Sequence, residues 1–251
     1  DGGYIIAGGT NSFVFEWNRD VYLLKTDSIG DTLWTKTFGG ISGDICNSVQ
    51  QTVDGGYVIT GMTQSFGSVN WDIYLLKTNV NGDLLWSKTF GGPKTDVGRA
   101  IRQTADGGYV ILGENYPIAG GNFDVILIKT TANGDLIWSK TFGGRTSYDR
   151  GFSIQQNDDD GFIIAGHTSG FGAGAEDIYL IRVDSNGNSG VCYQGMSAAI
   201  TVAAPATKVN TTTTTVSSSG LISNNTATIV NNTITQQNDI TSDLSLSTGS
   251  N

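Results

Sequence analysis

Through the first three quarters of the chain, apolar residues do not recur at helical spacing. They come in short β-branched and aromatic runs, each closed by Gly, Asn or Asp, which is how strands and tight turns read. One stretch shows the order clearly. Ser48-Val49-Gln50-Gln51-Thr52 alternates, Asp54-Gly55-Gly56 is a turn, and Tyr57-Val58-Ile59-Thr60-Gly61 is apolar. After a longer loop comes Asp72-Ile73-Tyr74-Leu75-Leu76-Lys77, then the turn Asn79-Val80-Asn81-Gly82-Asp83, then Leu84 to Phe90 closed by Gly91-Gly92. This predicts four short strands and no helix, with Gly82 supplying the positive φ that a hairpin turn needs. Several runs are apolar on both faces, as expected of a sheet held between two others.

The same block recurs. Its Asp-Gly-Gly element stands at Asp1, Asp54 and Asp106, and as Asp-Asp-Gly-Phe at Asp159, so the period is 52 or 53 residues. The strand that follows the loop starts at Asp20, Asp72, Asp124 and Asp177, and the last strand is centred on Trp34, Trp86 and Trp138. Repeats of this length bury their surface by stacking on one another, and four-stranded sheets stacked in this way form a β-propeller. The fold class expected is therefore all-β: a propeller array with units at about 1–40, 41–92, 93–144 and 145–195, followed by a Thr/Ser/Asn-rich C-terminal arm over 196–251. The first unit begins at its second strand. The fourth stops after its third, where Asn188-Ser189-Gly190-Val191 stands in place of the Trp strand. We expect a truncated or processed part of a larger propeller, with one open edge at each end.

Asp72-Ile73-Tyr74-Leu75-Leu76-Lys77-Thr78, a Gly turn, then Leu84-Leu85-Trp86 resembles the tryptophan-docking blade of quinoprotein-like propellers. The whole unit resembles a repeat of secreted and cell-surface proteins of Bacteroidetes and some archaea. The resemblance covers residue 1 to about 190 and implies a propeller fold and an extracellular or cell-surface location. It carries no cofactor, because no cofactor-ligand residue can be matched, and a fold of this kind hosts many unrelated functions.

The formal net charge of −9 argues against nucleic acid and anionic membranes as partners, since phosphate binding needs Lys/Arg clusters. No run of about 18 apolar residues predicts a membrane-spanning helix. Cys46 and Cys192 form no metal-binding spacing, and sequence leaves open whether they pair.

Two sets of connections vary between copies: 10–19, 63–71, 115–123 and 168–176, and 41–44, 93–96 and 145–149. Strand alternation puts both at one end of the sheets, where binding residues of repeat proteins sit. This face carries Phe13, Phe15, Trp17, Phe66, Trp71, Tyr116, Phe123, Tyr148 and Phe171, with the single histidine, His167, beside it. The rings either stack on glycans or peptides or plug gaps between blades. Asp20, Asp72, Asp124 and Asp177, with Asp44, Asp96 and Asp149, read either as a cation-binding ring or as one backbone cap per blade. Lys25, Lys77 and Lys129 are expected to cover rings with their stems and hold their charges at the rim. The Asn-Gly-Asp turns lack a full calcium series, no nucleophile accompanies His167, and no metal or cofactor is expected.

From 196 onward the only ionisable side chains are Lys208, Asp239 and Asp243. Asn210, Asn224 and Asn231 stand in Asn-x-Thr sequons. Such a tail reads as a stalk, or as a β arm that pairs with an open edge through the segments holding Ile200, Val202, Val209, Val216, Ile229 and Val230. The function expected is a non-enzymatic structural or interaction module that self-associates or joins a neighbouring surface protein. A glycan- or peptide-binding propeller is the alternative, ahead of a secreted hydrolase, lyase or quinoprotein-like enzyme.

Overall fold

The computed structural model describes residues 2–12, 19–116, 121–144, 146–170 and 175–189, and the backbone of strands at 201–203, 208–216, 222–231 and 234–238. The described residues contain no helix and form four antiparallel sheets. The first holds β1 (Ile5–Thr10), β2 (Asp20–Thr26) and β3 (Thr32–Gly39); the second, β4 (Asp44–Gln51), β5 (Tyr57–Thr63), β6 (Asp72–Thr78) and β7 (Leu84–Gly91). The third holds β8 (Asp96–Gln103), β9 (Tyr109–Asn115), β10 (Asp124–Thr130) and β11 (Leu136–Phe142); the fourth, β12 (Asp149–Gln156), β13 (Phe162–Thr168) and β14 (Asp177–Val183). Within each sheet the repeat strands pair in chain order, so every connection is a local hairpin or loop.

The turns are closed by their own side chains. Asp54 Oδ1 accepts from the Gly56 amide at 3.0 Å, and Asn79 Oδ1 accepts from the amides of Asn81 and Asp83, both at 2.9 Å. These short polar residues satisfy the backbone where the chain reverses. The turns that faintly resemble calcium loops thus spend their carboxylate and amide oxygens on local amides.

Alternation along each strand sends one set of side chains to the preceding sheet and the other to the following one. Tyr57, Ile59, Tyr74 and Leu76 pack with Val21, Leu23 and Phe38 of the first sheet. Their neighbours Val58, Ile73 and Leu75 pack with Ile101, Tyr109 and Ile111 of the third. The third and fourth sheets meet through Val110, Leu112, Val125 and Leu127 against Ile154, Phe162, Ile164 and Ile181. One backbone bond repeats at every junction: Asp44 to Arg19 O at 2.6 Å, Asp96 to Trp71 O at 2.7 Å, Asp149 to Phe123 O at 2.8 Å.

Each tryptophan of a last strand rests on the turn glycine of the next sheet. A Cβ at Gly134 would lie 2.7 Å from Trp86 Cζ3 and 3.1 Å from Lys88 Cγ, and Trp34 and Trp138 meet Gly82 and Gly187 in the same way. Trp86 also packs on Tyr109, ring centroids 6.0 Å apart. Trp86→Ala is expected to cost about 3 kcal/mol, the low end for a Trp truncation because the ring is only half-buried; urea unfolding measures it.

The lysines differ from expectation. Lys77 and Lys129 are buried to the ammonium rather than rim-exposed. Lys77 Nζ reaches Thr78 O and Asp54 at 2.9 Å, and Lys129 Nζ reaches Asp106 at 2.8 Å. They pin the Asp-Gly-Gly turn to the third strand, and their donors are satisfied at a distance of 23 residues in sequence.

The tail strands extend two of these sheets within the chain. β15 (Thr201–Ala203) pairs antiparallel with β7, Val202 opposite Phe90. β16 (Lys208–Val216) pairs with β3, Val209 opposite Phe38; β17 (Ile222–Asn231) pairs with β16, Val230 opposite Val209, Ile229 opposite Asn210 and Ile222 opposite Val216. β18 (Ile234–Asn238) completes a six-stranded first sheet. The described strands of the arm thus add to the outer edges of the first and second sheets, and none of them pairs with β1 or β14. An outer strand offers the free backbone groups that an incoming strand needs. Ile200 and Cys192 lie outside the described residues. Cys46 is buried, and burial pushes its thiol up to about 12.

Candidate functional site

The strand directions bring the two variable sets of loops to one end of the stack, where they bond to each other. Gln64 donates to Gly43 O at 2.8 Å, the Tyr116 amide to Thr95 O at 3.0 Å, and Ser169 to Tyr148 O at 2.9 Å. The predicted aromatics there divide. Phe66 leans on Tyr74 with centroids 5.7 Å apart and flanks the first core cluster, so it fills a gap between sheets. Trp71 lies over Gly43, where a Cβ would stand 2.8 Å from Cη2. Tyr148 is 45% exposed. Trp17 and Phe171, with Phe13 and Phe15, lie outside the described residues.

Between the third and fourth sheets the same end carries a charged cluster. Glu114, on β9, is 1% exposed and takes both forks of Arg99, at 2.9 and 3.0 Å; Arg150 Nε is 3.7 Å from the same carboxylate. The Arg150 guanidinium lies 5.8 Å from the Phe123 ring centroid, and Phe123 meets Tyr116 edge-to-face at 5.4 Å. The two guanidiniums are 34% and 37% exposed as side chains, so one buried carboxylate fixes two cations beside two rings. That combination suits an acidic or hydroxyl-rich ligand: the planar forks recognise carboxylates and the rings supply a stacking surface.

Sequence reasoning reached Tyr116 and Phe123 but not the arginines. The available signal was loss of repeat symmetry. Arg99 stands where Asn47 and Phe152 occur, and Arg150 where Ile45 and Val97 occur. His167, at the position of Glu114 in the next sheet, lies 3.4 Å from Glu176 and meets Phe152 edge-to-face at 5.2 Å.

The repeated carboxylates come together in pairs, one pair per junction. A Cβ at Gly39, Gly91 or Gly143 would touch Oδ1 of Asp20, Asp72 or Asp124, and would lie 2.8 Å from Oδ2 of Asp44, Asp96 or Asp149 respectively. The second member caps the loop before it: Asp44 accepts from Gly40 at 2.8 Å, Asp96 from Gly92 at 2.8 Å and Asp149 from Gly144 at 3.0 Å. Burial raises Asp44 and Asp72 above the usual carboxylate range. It pushes Asp96 up to about 6 with help from Asp72, and Asp124 to about 6 with help from Asp149. Among the described residues no three His, Cys, Asp or Glu converge as a metal site. In comparisons with known proteins, no family model and no curated sequence matches this chain.

Proposed function

We propose that the chain is a non-enzymatic structural and interaction module, a propeller-type array of four-stranded blades with a β arm, which self-associates or joins a neighbouring surface protein through strand pairing. One observation supports this reading: the outer face of the fourth sheet exposes apolar residues whose counterparts in the third sheet are buried at a junction. Ile178 and Leu180 of the fourth sheet are 90% and 64% exposed, whereas their counterparts Val125 and Leu127 in the third are fully buried against the next sheet. An apolar face of this kind marks an interaction surface. The extracellular or cell-surface setting rests on the resemblance of the repeat to secreted propellers.

Sedimentation velocity across a range of concentrations tests the reading. Parent protein should form larger species, and Ile178→Asp with Leu180→Asp should reduce them without lowering the melting temperature. A parent that stays monomeric at high concentration would overturn it.

The second reading, an acidic-glycan or acidic-peptide site, is favoured by Arg99, Arg150, Tyr116 and Phe123 around Glu114. A glycan array with Arg150→Ala as the control addresses it.

A further inference from the structure

Variation between the repeats is concentrated where the inner strands bulge. Each of β4, β8 and β12 has Asp at its first position, an aliphatic residue at its sixth and Gln at its eighth. The ladder to the middle strand is interrupted between the third and fifth positions. This leaves the fourth residue, Asn47, Arg99 or Phe152, without a partner in register. The bulge is built into the sheet: a Cβ at Gly61, Gly113 or Gly166 of the middle strand would strike the carbonyl of Ile45, Val97 or Arg150. A bulge of this kind re-aims a side chain. The scaffold repeats, and the re-aimed residue does not.

In the second sheet the re-aimed residue is spent locally, since the Asn47 amide donates to Gly98 O at 2.7 Å. In the third it is Arg99, paired with Glu114; in the fourth it is Phe152, whose ring meets His167 edge-to-face at 5.2 Å. Arg150 stands directly opposite His167 in the register and 3.7 Å from Glu114, so it joins the two sets of groups. The two arginines are not equivalent. Arg99 gives Nε and a terminal nitrogen to the two oxygens of Glu114. Arg150 Nε is buried and donates to no acceptor among the described residues. Its guanidinium is held by the charge of Glu114 and the ring of Phe123. A ligand therefore meets Arg150 at its terminal nitrogens. Phe152, on the same strand, is 56% exposed.

We infer that this junction binds a glycan bearing uronic acids, with Arg150 receiving the carboxylate and Phe152 serving as a stacking platform. This rests on the acidic-ligand reading of the same cluster and chooses between its two ligand classes. A planar guanidinium takes both oxygens of a carboxylate. The C–H face of a pyranose packs on an exposed ring. His167 and Glu176, 3.4 Å apart, supply polar atoms for the sugar hydroxyls. An acidic peptide laid along a strand edge is held by main-chain bonds. Both inner strands lose their regular ladder at the bulges that this site occupies, and a bulge blunts an edge for such pairing. Recognition here falls to side chains, which suits a sugar.

The probe is tetragalacturonate, titrated into the full chain by isothermal calorimetry, with a neutral galactose tetrasaccharide and tetraglutamate as comparison ligands. The expected result is saturable binding of tetragalacturonate that Arg150→Ala weakens by about tenfold or more and Phe152→Ala weakens severalfold. Arg150→Lys should also lose most of the affinity, because lysine keeps the charge without the fork. It carries the test if Arg150→Ala loses the parental circular dichroism spectrum. Arg182→Ala, which removes the arginine paired with Asp159 at the opposite end of the fourth sheet, should bind as the parent does. Affinity that Arg150→Ala or Phe152→Ala leaves unchanged, or equal binding of the neutral tetrasaccharide, would overturn the inference. Binding of tetraglutamate without tetragalacturonate sinks the sugar assignment and leaves the acidic-ligand reading standing. No saturation by either up to about 1 mM sinks both.

Discussion

Gly61→Ala is expected to destabilise the protein by roughly 3 kcal/mol or more, whereas Gly8→Ala leaves it within about 0.5 kcal/mol of the parent. The two residues are the same position of two repeats. At Gly61 the new methyl would meet the Ile45 carbonyl, with its carbon 2.8 Å away and Cys46 Cα 2.9 Å away. All three are backbone atoms of a paired strand, so relief requires shifting β4, which also packs on the first sheet through Val49. At Gly8 the methyl enters open space, and the loss of unfolded-state freedom on replacing Gly by Ala acts in the protein's favour. Thermal unfolding should show Gly61→Ala falling by roughly 8 °C, at 2–4 °C per kcal/mol for a chain of this size. Equal shifts for both variants would mean that Gly8 is packed as closely as Gly61 in solution.

That contrast also shows what sequence holds and what it does not. The strands and turns were legible because each is marked by local chemistry repeated in register: Asp54-Gly55-Gly56 closes on its own amides, and Gly82 sits at φ +75°. The pairing of variable loops at one end followed from strand direction alone. Arg99 and Arg150 were not legible, because one departure from the repeat looks like drift until folding sets it against Glu114. The arm was legible as β-forming, but its Thr-rich strands have no strong apolar alternation to fix a partner or register. The burial of Lys77 and Lys129 was missed because their acceptors are distant in sequence.

The largest pH effect should come from the paired carboxylates at the junctions, and its sign is opposite to that of ordinary salt-bridged aspartates. Burial raises Asp96 and Asp124 to about 6 in the folded protein, against an ordinary aspartate value of 3.8. A carboxyl raised on folding stabilises the fold fully below its unfolded value, and that contribution disappears as pH climbs through the folded value. For fully buried Asp96 the difference corresponds to about 3 kcal/mol at most. Asp54 and Asp106 act the other way. The Thr52 hydroxyl, against the opposing effect of burial and aided by Lys77 and Gly56, brings Asp54 down to about 2. At Asp106 burial is outweighed by Lys129, Thr104 and Gly108, which also bring it to about 2. Both are more than half exposed as side chains, so their contribution, lost only as pH falls from about 4 towards 2, is the smaller one. Melting temperature should therefore peak near pH 4 to 5 and decline towards pH 7 to 8, a profile that scanning calorimetry in matched ionic strength resolves. Asp124→Asn isolates the cause. Asp124 Oδ1 and Asp149 Oδ1 are both buried without a hydrogen-bond partner among the described residues, so an amide at 124 removes a charge and offers Asp149 a donor. The variant should gain about 4 °C at pH 7.5 and nothing at pH 4.5. A parent whose melting temperature rises between pH 5 and 8, or a variant that gains equally at both pH values, would show that these pairs are ionised and solvated in the folded protein.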